Sequence, residues 1–179
     1  MAEIWSDFER DYPIGHGRSE AVKAGVSAAL PIAAFLGVHV LGQALGLDAI
    51  YPKLPFGLPA WSNALALAVT LPMWGYAHFL VSGRGPSGRI AGRWIVVFAG
   101  LLLVLPFALA SFDAFFGGIF SLVVLLSGII AAGRAGAISG RAGLLLLPGL
   151  LWTGVGALAG FGAVAGGWSP PFALMNRQN

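Results

Sequence analysis

Residues 94–133 read WIVVFAGLLLVLPFALASFDAFFGGIFSLVVLLSGIIAAG, and Asp113 is the one charge among them. At ~1.5 Å per residue, each half, about 94–112 and about 114–133, can cross a hydrocarbon layer of ~30 Å. Only Asp113 and its neighbours separate the halves. The reading is therefore two spans in a tight hairpin, with a single kinked or re-entrant element as the alternative. Working outward with a window of ~19 residues finds three more apolar stretches, at about 22–47, 61–81 and 142–166. The sequence predicts an all-α integral membrane protein, a bundle of five transmembrane helices. Its membrane domain covers 22–167, after an N-terminal segment 1–21 and before a C-terminal tail 168–179.

Composition agrees. Of 179 residues, 58% are hydrophobic and 9% are charged, against ~25% charged in soluble domains. Such a chain cannot cover itself with water-facing groups, so lipid is its natural solvent. Cysteine is absent, which excludes disulfides, thiolate metal sites and covalent c-type haem attachment. Five of the seven acidic residues fall within 1–20. There Ile4, Trp5 and Phe8 can share one face of a short interfacial helix, with a frayed tail as the alternative.

The basic residues set an orientation. Arg10, Arg18 and Lys23 precede the first span, Arg84, Arg89 and Arg93 separate the second from the third, and Arg134 and Arg141 separate the fourth from the fifth. Lys53 and Arg177 alone fall on the other side. Basic residues favour the cytoplasmic face, so the expected N-terminus is cytoplasmic and the C-terminus lies opposite. Topology thereby accounts for the net charge of +3, and no nucleic-acid partner is expected. The composition points to a bacterial inner membrane, with an organelle membrane as the alternative.

Inside the spans, Pro31, Pro72, Pro106 and Pro148 free backbone carbonyls that neighbouring helices can satisfy. Trp61, Trp94 and Trp168 sit at expected span ends, where indoles prefer the interface. Gly156-x-x-x-Gly160 and Gly162-x-x-x-Gly166 suit close helix packing, within the chain or in a homodimer. No acidic or basic residue lies deep in a span, which disfavours a proton pump or an ion-coupled transporter. His39 and His78 are the candidates for haem or quinone chemistry. They lie near opposite ends of their spans, roughly 15–20 Å apart in depth at 1.5 Å per residue, too far to clasp one haem iron together. No phosphate loop, metal cluster or nucleophile–base pair is visible. No catalytic or metal site is assigned, and no cofactor is required.

One loop carries a resemblance. Ile50-Tyr51-Pro52-Lys53-Leu54-Pro55-Phe56-Gly57-Leu58-Pro59-Ala60-Trp61 resembles the first loop of the translocator protein family, also called tryptophan-rich sensory proteins, which runs K-P-x-[FW]-x-P-P-x-W. Lys53, Phe56, Pro59 and Trp61 fall in register, with Leu54 and Leu58 in place of prolines. Gly75-Tyr76-Ala77-His78-Phe79-Leu80-Val81 is similar to the end of that family's second helix. Pro148-Gly149-Leu150-Leu151-Trp152 is similar to a P-Y-L-x-W motif in its fifth, with Gly149 in place of tyrosine. Leu67 stands where the family has a second tryptophan. The resemblance implies a dimeric membrane receptor or sensor for a tetrapyrrole or another flat lipophilic molecule, held between helices and capped by the first loop.

On that reading the candidate ligand-binding residues are Lys53, Phe56, Trp61, Trp74, Tyr76 and Trp152. The aromatic rings supply stacking faces, and Lys53 can meet a propionate. The bland reading assigns the aromatics to packing and anchoring, and Lys53 to a solvated loop. Two functions of other classes stay open. One is a small helical subunit or assembly factor of an inner-membrane complex with no ligand chemistry of its own. The other is a minor transporter or membrane enzyme using His39 or His78.

Overall fold

The computed structural model describes residues 18–49 and 61–167, which form five helices. These are α1 Arg18–Ala44, α2 Trp61–Ser82, α3 Gly85–Ser111, α4 Ala114–Gly136 and α5 Gly140–Gly167. Each is long and apolar enough to cross a membrane. The stretch 94–133 falls in two helices, not one kinked element. Phe112 leaves the helical conformation, and the Asp113 carboxylate caps α4 by accepting from the Phe116 amide at 2.9 Å. A carboxylate there satisfies one of the amides that the first helical turn leaves over. The one charge in this apolar run is thus the cap on which the second of the two spans starts.

Helix ends differ from the hydropathy edges for local reasons. α1 stops at Ala44 because Gly46 takes a left-handed φ of 69°. The Leu47 amide then donates to Gly42 O at 2.9 Å and the Gly46 amide to Gln43 O at 3.1 Å. That is a Schellman closure, which needs glycine at its left-handed position. α3 starts nearer the chain's beginning than expected, at Gly85, with Pro86 in its first turn. Proline fits there because first-turn amides have no intrahelical partner. Arg89 and Arg93 are consequently helical, and Trp94 lies inside α3 rather than at its start.

Helices α2, α3, α4 and α5 close into a ring, each packed on the next and α5 packed back on α2. The buried core comes from these four: Leu71, Trp74, Ala77 and Val81; Ala91, Ile95 and Phe98; Val124, Ala131 and Ala135; Ala142, Leu146 and Leu150. Helix α1 stands outside the ring. It packs along α2, reaches α3 over a short stretch, and contributes only the half-buried Ile32 and Phe35 to the edge of the core.

Arg84 ties one end of the ring together. Its Nη1 donates to Ile138 O at 2.9 Å, joining the α2–α3 turn to the α4–α5 turn. Those are two of the segments that carry the basic residues. The N-terminal segment 1–17, the connection 50–60 and the tail 168–179 lie outside the described residues, and with them Ile4, Trp5 and Phe8.

The expected orientation is directly measurable, because the chain has no cysteine of its own. Ser87 and Ser111 are both exposed, at opposite ends of α3. In intact cells, a membrane-impermeant thiol reagent should label Ser111→Cys and spare Ser87→Cys until the membrane is permeabilised. The opposite pattern would invert the orientation.

Candidate functional site: the α1–α2–α5 seams and the aromatic interior

In lipid, helices gain little by hiding apolar surface from one another, so association rests on close contact and on hydrogen bonds between helices. Two seams meet on neighbouring residues of α2. At the first, the Ser27 hydroxyl donates to Gly75 O at 2.8 Å. A side chain at Gly75 would collide with the Ser27 carbonyl oxygen. Pro31, one turn on, has no amide to give that carbonyl, so the freed oxygen rests against the bare Cα of Gly75. Such Cα–H contacts recur where helix backbones touch.

At the second seam, a Cβ at Gly149 would run into the Trp74 indole. The missing side chain is the space that Trp74 fills. Phe98 closes the indole's other surroundings at a centroid distance of 4.7 Å, and Gly128 in turn leaves room for Phe98 and Leu150. Trp74 is 1% exposed, and its Nε1 has no hydrogen-bond partner. The buried hydroxyls within the helices behave differently. Thr70, Ser121, Ser127 and Thr153 each donate to a carbonyl of their own helix, at Ala66, Gly117, Val124 and Gly149 respectively. Back-bonding of this kind hides hydroxyls from lipid without recruiting a partner.

The six sequence-named ligand residues are distributed as follows. Lys53 and Phe56 lie outside the described residues, and Trp61 opens α2. Trp74 is inside the ring. Tyr76 is two residues on, roughly 200° around the helix from Trp74 at ~100° per residue. It is half-buried and stacks on Phe79 at 6.1 Å. Trp152 is half-buried, one turn from Gly149. It is offset by roughly 60° to the side away from Leu150, the residue that meets Gly128 of α4. Trp152 therefore stands at the rim of the α2–α5 seam. The structure unites Trp74 with the Gly149 segment and turns Tyr76 away from both.

The two histidines are in different settings. His78 lies against Gly92, and its ring is 3.2 Å from the Ser82 hydroxyl, which itself donates to His78 O at 2.6 Å. His39 sits near the other end of the bundle, where α1 meets α3. Its Nδ1 is 2.9 Å from Phe35 O, and its ring lies 4.1 Å from Phe35 and 5.3 Å from Phe107. Gly42 makes the junction possible, since a Cβ there would strike the Phe107 ring. Sequence reasoning named His39 but missed this aromatic surround. The spacing of Phe35, His39 and Gln43 along one face was visible; Phe107, from another helix, was not.

Protein-family models, curated proteins and solved structures were compared with this chain, and none matches.

The second seam makes a stability prediction. Gly149→Ala should destabilise the bundle by about 1–3 kcal/mol through overpacking against Trp74. Gly162→Ala, with nothing within 4 Å of its added Cβ, should be near neutral. Pairing Gly149→Ala with Trp74→Leu should cost less than the two single changes together. Reversible unfolding in mixed detergent micelles measures all of these variants. Strict additivity would show that the two residues do not share one space.

Proposed function

We propose that this chain is a translocator-like membrane receptor or sensor, which holds a flat lipophilic ligand such as a tetrapyrrole between its helices, beneath the connection that joins α1 to α2. The observation that supports the reading best is the asymmetry of the bundle. Four helices form a filled ring, while α1 lies outside it and meets α3 around Gly42, His39 and Phe107. A flat ligand needs a slot with apolar walls and a few placed polar groups. The edge of α1 offers Phe35, His39 and Phe107, directly before the connection that carries Lys53 and Phe56. On this reading Lys53 meets a carboxylate of the ligand, the prolines of the connection stiffen a lid, and Trp152 stands at the rim of the α2–α5 seam. The family resemblance of the loop adds to the proposal, which includes a homodimer in a bacterial inner membrane as the setting.

A second reading has its own support. The outward face of α1 is apolar and exposed at Val22, Val26, Leu30, Leu36 and Val40, as a subunit helix packed against another chain would be. That reading, a helical subunit or assembly factor of an inner-membrane complex, predicts stoichiometric co-purification in mild detergent and no ligand affinity of the isolated chain.

Protoporphyrin titration of the detergent-purified protein, followed by tryptophan fluorescence, separates the readings. Porphyrins partition into micelles, so Trp61→Phe, Trp152→Phe and an unrelated five-helix protein must be titrated alongside. The receptor reading expects saturable quenching that either substitution weakens and that the unrelated protein lacks. Quenching that rises linearly and matches the unrelated protein would remove it.

A further inference from the structure

We infer that the acidic N-terminal segment of this chain docks across the arginine-bearing end of its own ring, held there by charge and independently of any ligand. The surface comes first. Helix α1 meets α2 at Ser27 and Gly75, and meets α3 at Gly42 and Phe107, so it runs antiparallel to α2. At ~1.5 Å per residue, Arg18 is then roughly 13 Å beyond the Ser27–Gly75 contact and Ser82 roughly 10 Å beyond it, on the same side. The start of α1 is therefore level with the α2–α3 turn. The Arg84 bond to Ile138 O joins that turn to the α4–α5 turn, where Gly143 comes up against the Gly136 backbone.

One end of the bundle thus gathers Arg84, Arg89, Arg93, Arg134 and Arg141. Arg89 and Arg93 are one turn apart on α3, and Arg134 is in the last turn of α4. These three are exposed, and none of them has a hydrogen bond or ion pair among the described residues. Asp48 follows the far end of α1 and Asp113 caps the far end of α4, so neither can balance the arginines. The remaining acids of the chain are all within 1–20.

Charge names the occupant. Residues 1–17 carry Glu3, Asp7, Glu9 and Asp11 against a single basic residue, Arg10. They join α1 at Arg18, the same end as the arginines. An anionic bilayer surface repels such a segment, whereas the end of the ring attracts it. Length agrees with this placement. A flexible chain spans about 5–6 Å times the square root of its residue count, so Asp11 reaches roughly 15 Å from Arg18 and Glu3 roughly 21 Å. Packed helices stand about 8–10 Å apart, so the acids cover one to two helix spacings, the distance from α1 across the ring. Exposed ion pairs are individually weak and are screened by salt. Tethering offsets this, because it holds the acids at about millimolar local concentration. While it is in place, the segment shields the arginines from lipid phosphates.

The chain has no cysteine, so Ser6→Cys and Ser87→Cys put one spin label in the segment and one in the first turn of α3. The full-length protein is reconstituted in vesicles of phosphatidylcholine and phosphatidylglycerol. Labelled chains are diluted with an excess of unlabelled ones, so that double electron–electron resonance reads distances within one chain. The expected result is a single narrow distance distribution at 0.1 M salt, where charges are screened over ~10 Å. It should become roughly twofold or more broader at 1 M, where screening sets in at ~3 Å. Combining Glu3→Gln, Asp7→Asn, Glu9→Gln and Asp11→Asn should give the broad distribution at low salt. Combining Ile4→Ser, Trp5→Ser and Phe8→Ser should leave it narrow.

A broad distribution in the charged segment at 0.1 M salt would overturn the docking. So would a narrow one that survives both 1 M salt and the loss of the four acids. A narrow distribution lost with Ile4, Trp5 and Phe8 but kept without the acids would also overturn it, since the segment would then be held to lipid by its apolar side chains.

Discussion

The bundle depends on Trp74 lying where Gly149 has no side chain. A membrane helix pair cannot rely on expelling water, because the lipid outside is as apolar as the protein inside. What remains is the fit of one surface into another, and an indole against bare backbone gives a large contact for one residue. Phe98 completes the fit from α3, and Gly128 admits Phe98 from α4. Each helix of the ring thus gives either a large ring or a missing side chain to one shared layer. On the side of the layer nearer the α2–α3 and α4–α5 turns, Ala77, Ala91, Ala131, Ala135 and Ala142 are buried beside Val81 and Leu146; on the other side lie Leu71 and Val124. Once the aromatic layer is set, the helices have no other spacing available.

The same residue neighbourhood holds α1. Gly75 follows Trp74 directly, so one turn of α2 has the ring's layer on one side and the α1 contact on the next. Pro31 is part of that contact, since it releases the Ser27 carbonyl that lies against Gly75. The Ser27 hydroxyl bond to Gly75 O is worth only about 0.6–1.7 kcal/mol by the measured range for such bonds in membranes. The backbone approach that the glycine allows accounts for the rest. Helix α1 is therefore attached mainly along α2, with a short meeting with α3.

The number of helices was legible because hydropathy over a long window is a solvent argument, and it does not need packing detail. The α3–α4 break was legible from one residue, Asp113, although its role as a cap was not. Helix ends were missed where local chemistry overrides hydropathy: Gly46 stops α1 early, and Gly85–Pro86 starts α3 before the apolar run begins. The aromatic residues were read as one candidate site because all are flat and apolar. Their directions were not legible. Trp74 and Tyr76 are close in sequence, yet the helical period sends them to different sides. Gly149 was noticed as a departure from a motif, but only the position of Trp74 explains what the departure accommodates. Phe107 could not be placed beside His39, because nothing in a single sequence pairs residues of different helices.

A filled ring narrows where a ligand can bind. Trp74 and Phe98 are fully buried and pack on each other, so a flat molecule entering between α2, α3 and α5 would have to displace the layer that sets the helix spacing. That would cost the bundle its best contact. A ligand taken beside α1 displaces much less, because α1 adds no fully buried side chain to the core. The polar groups agree with this division. Inside the ring the helix hydroxyls are turned back on their own helices, whereas at the outer edge the His39 ring lies beside Phe35 and Phe107. The ring keeps its shape through glycine and tryptophan, and α1 is held to it along the α2 seam.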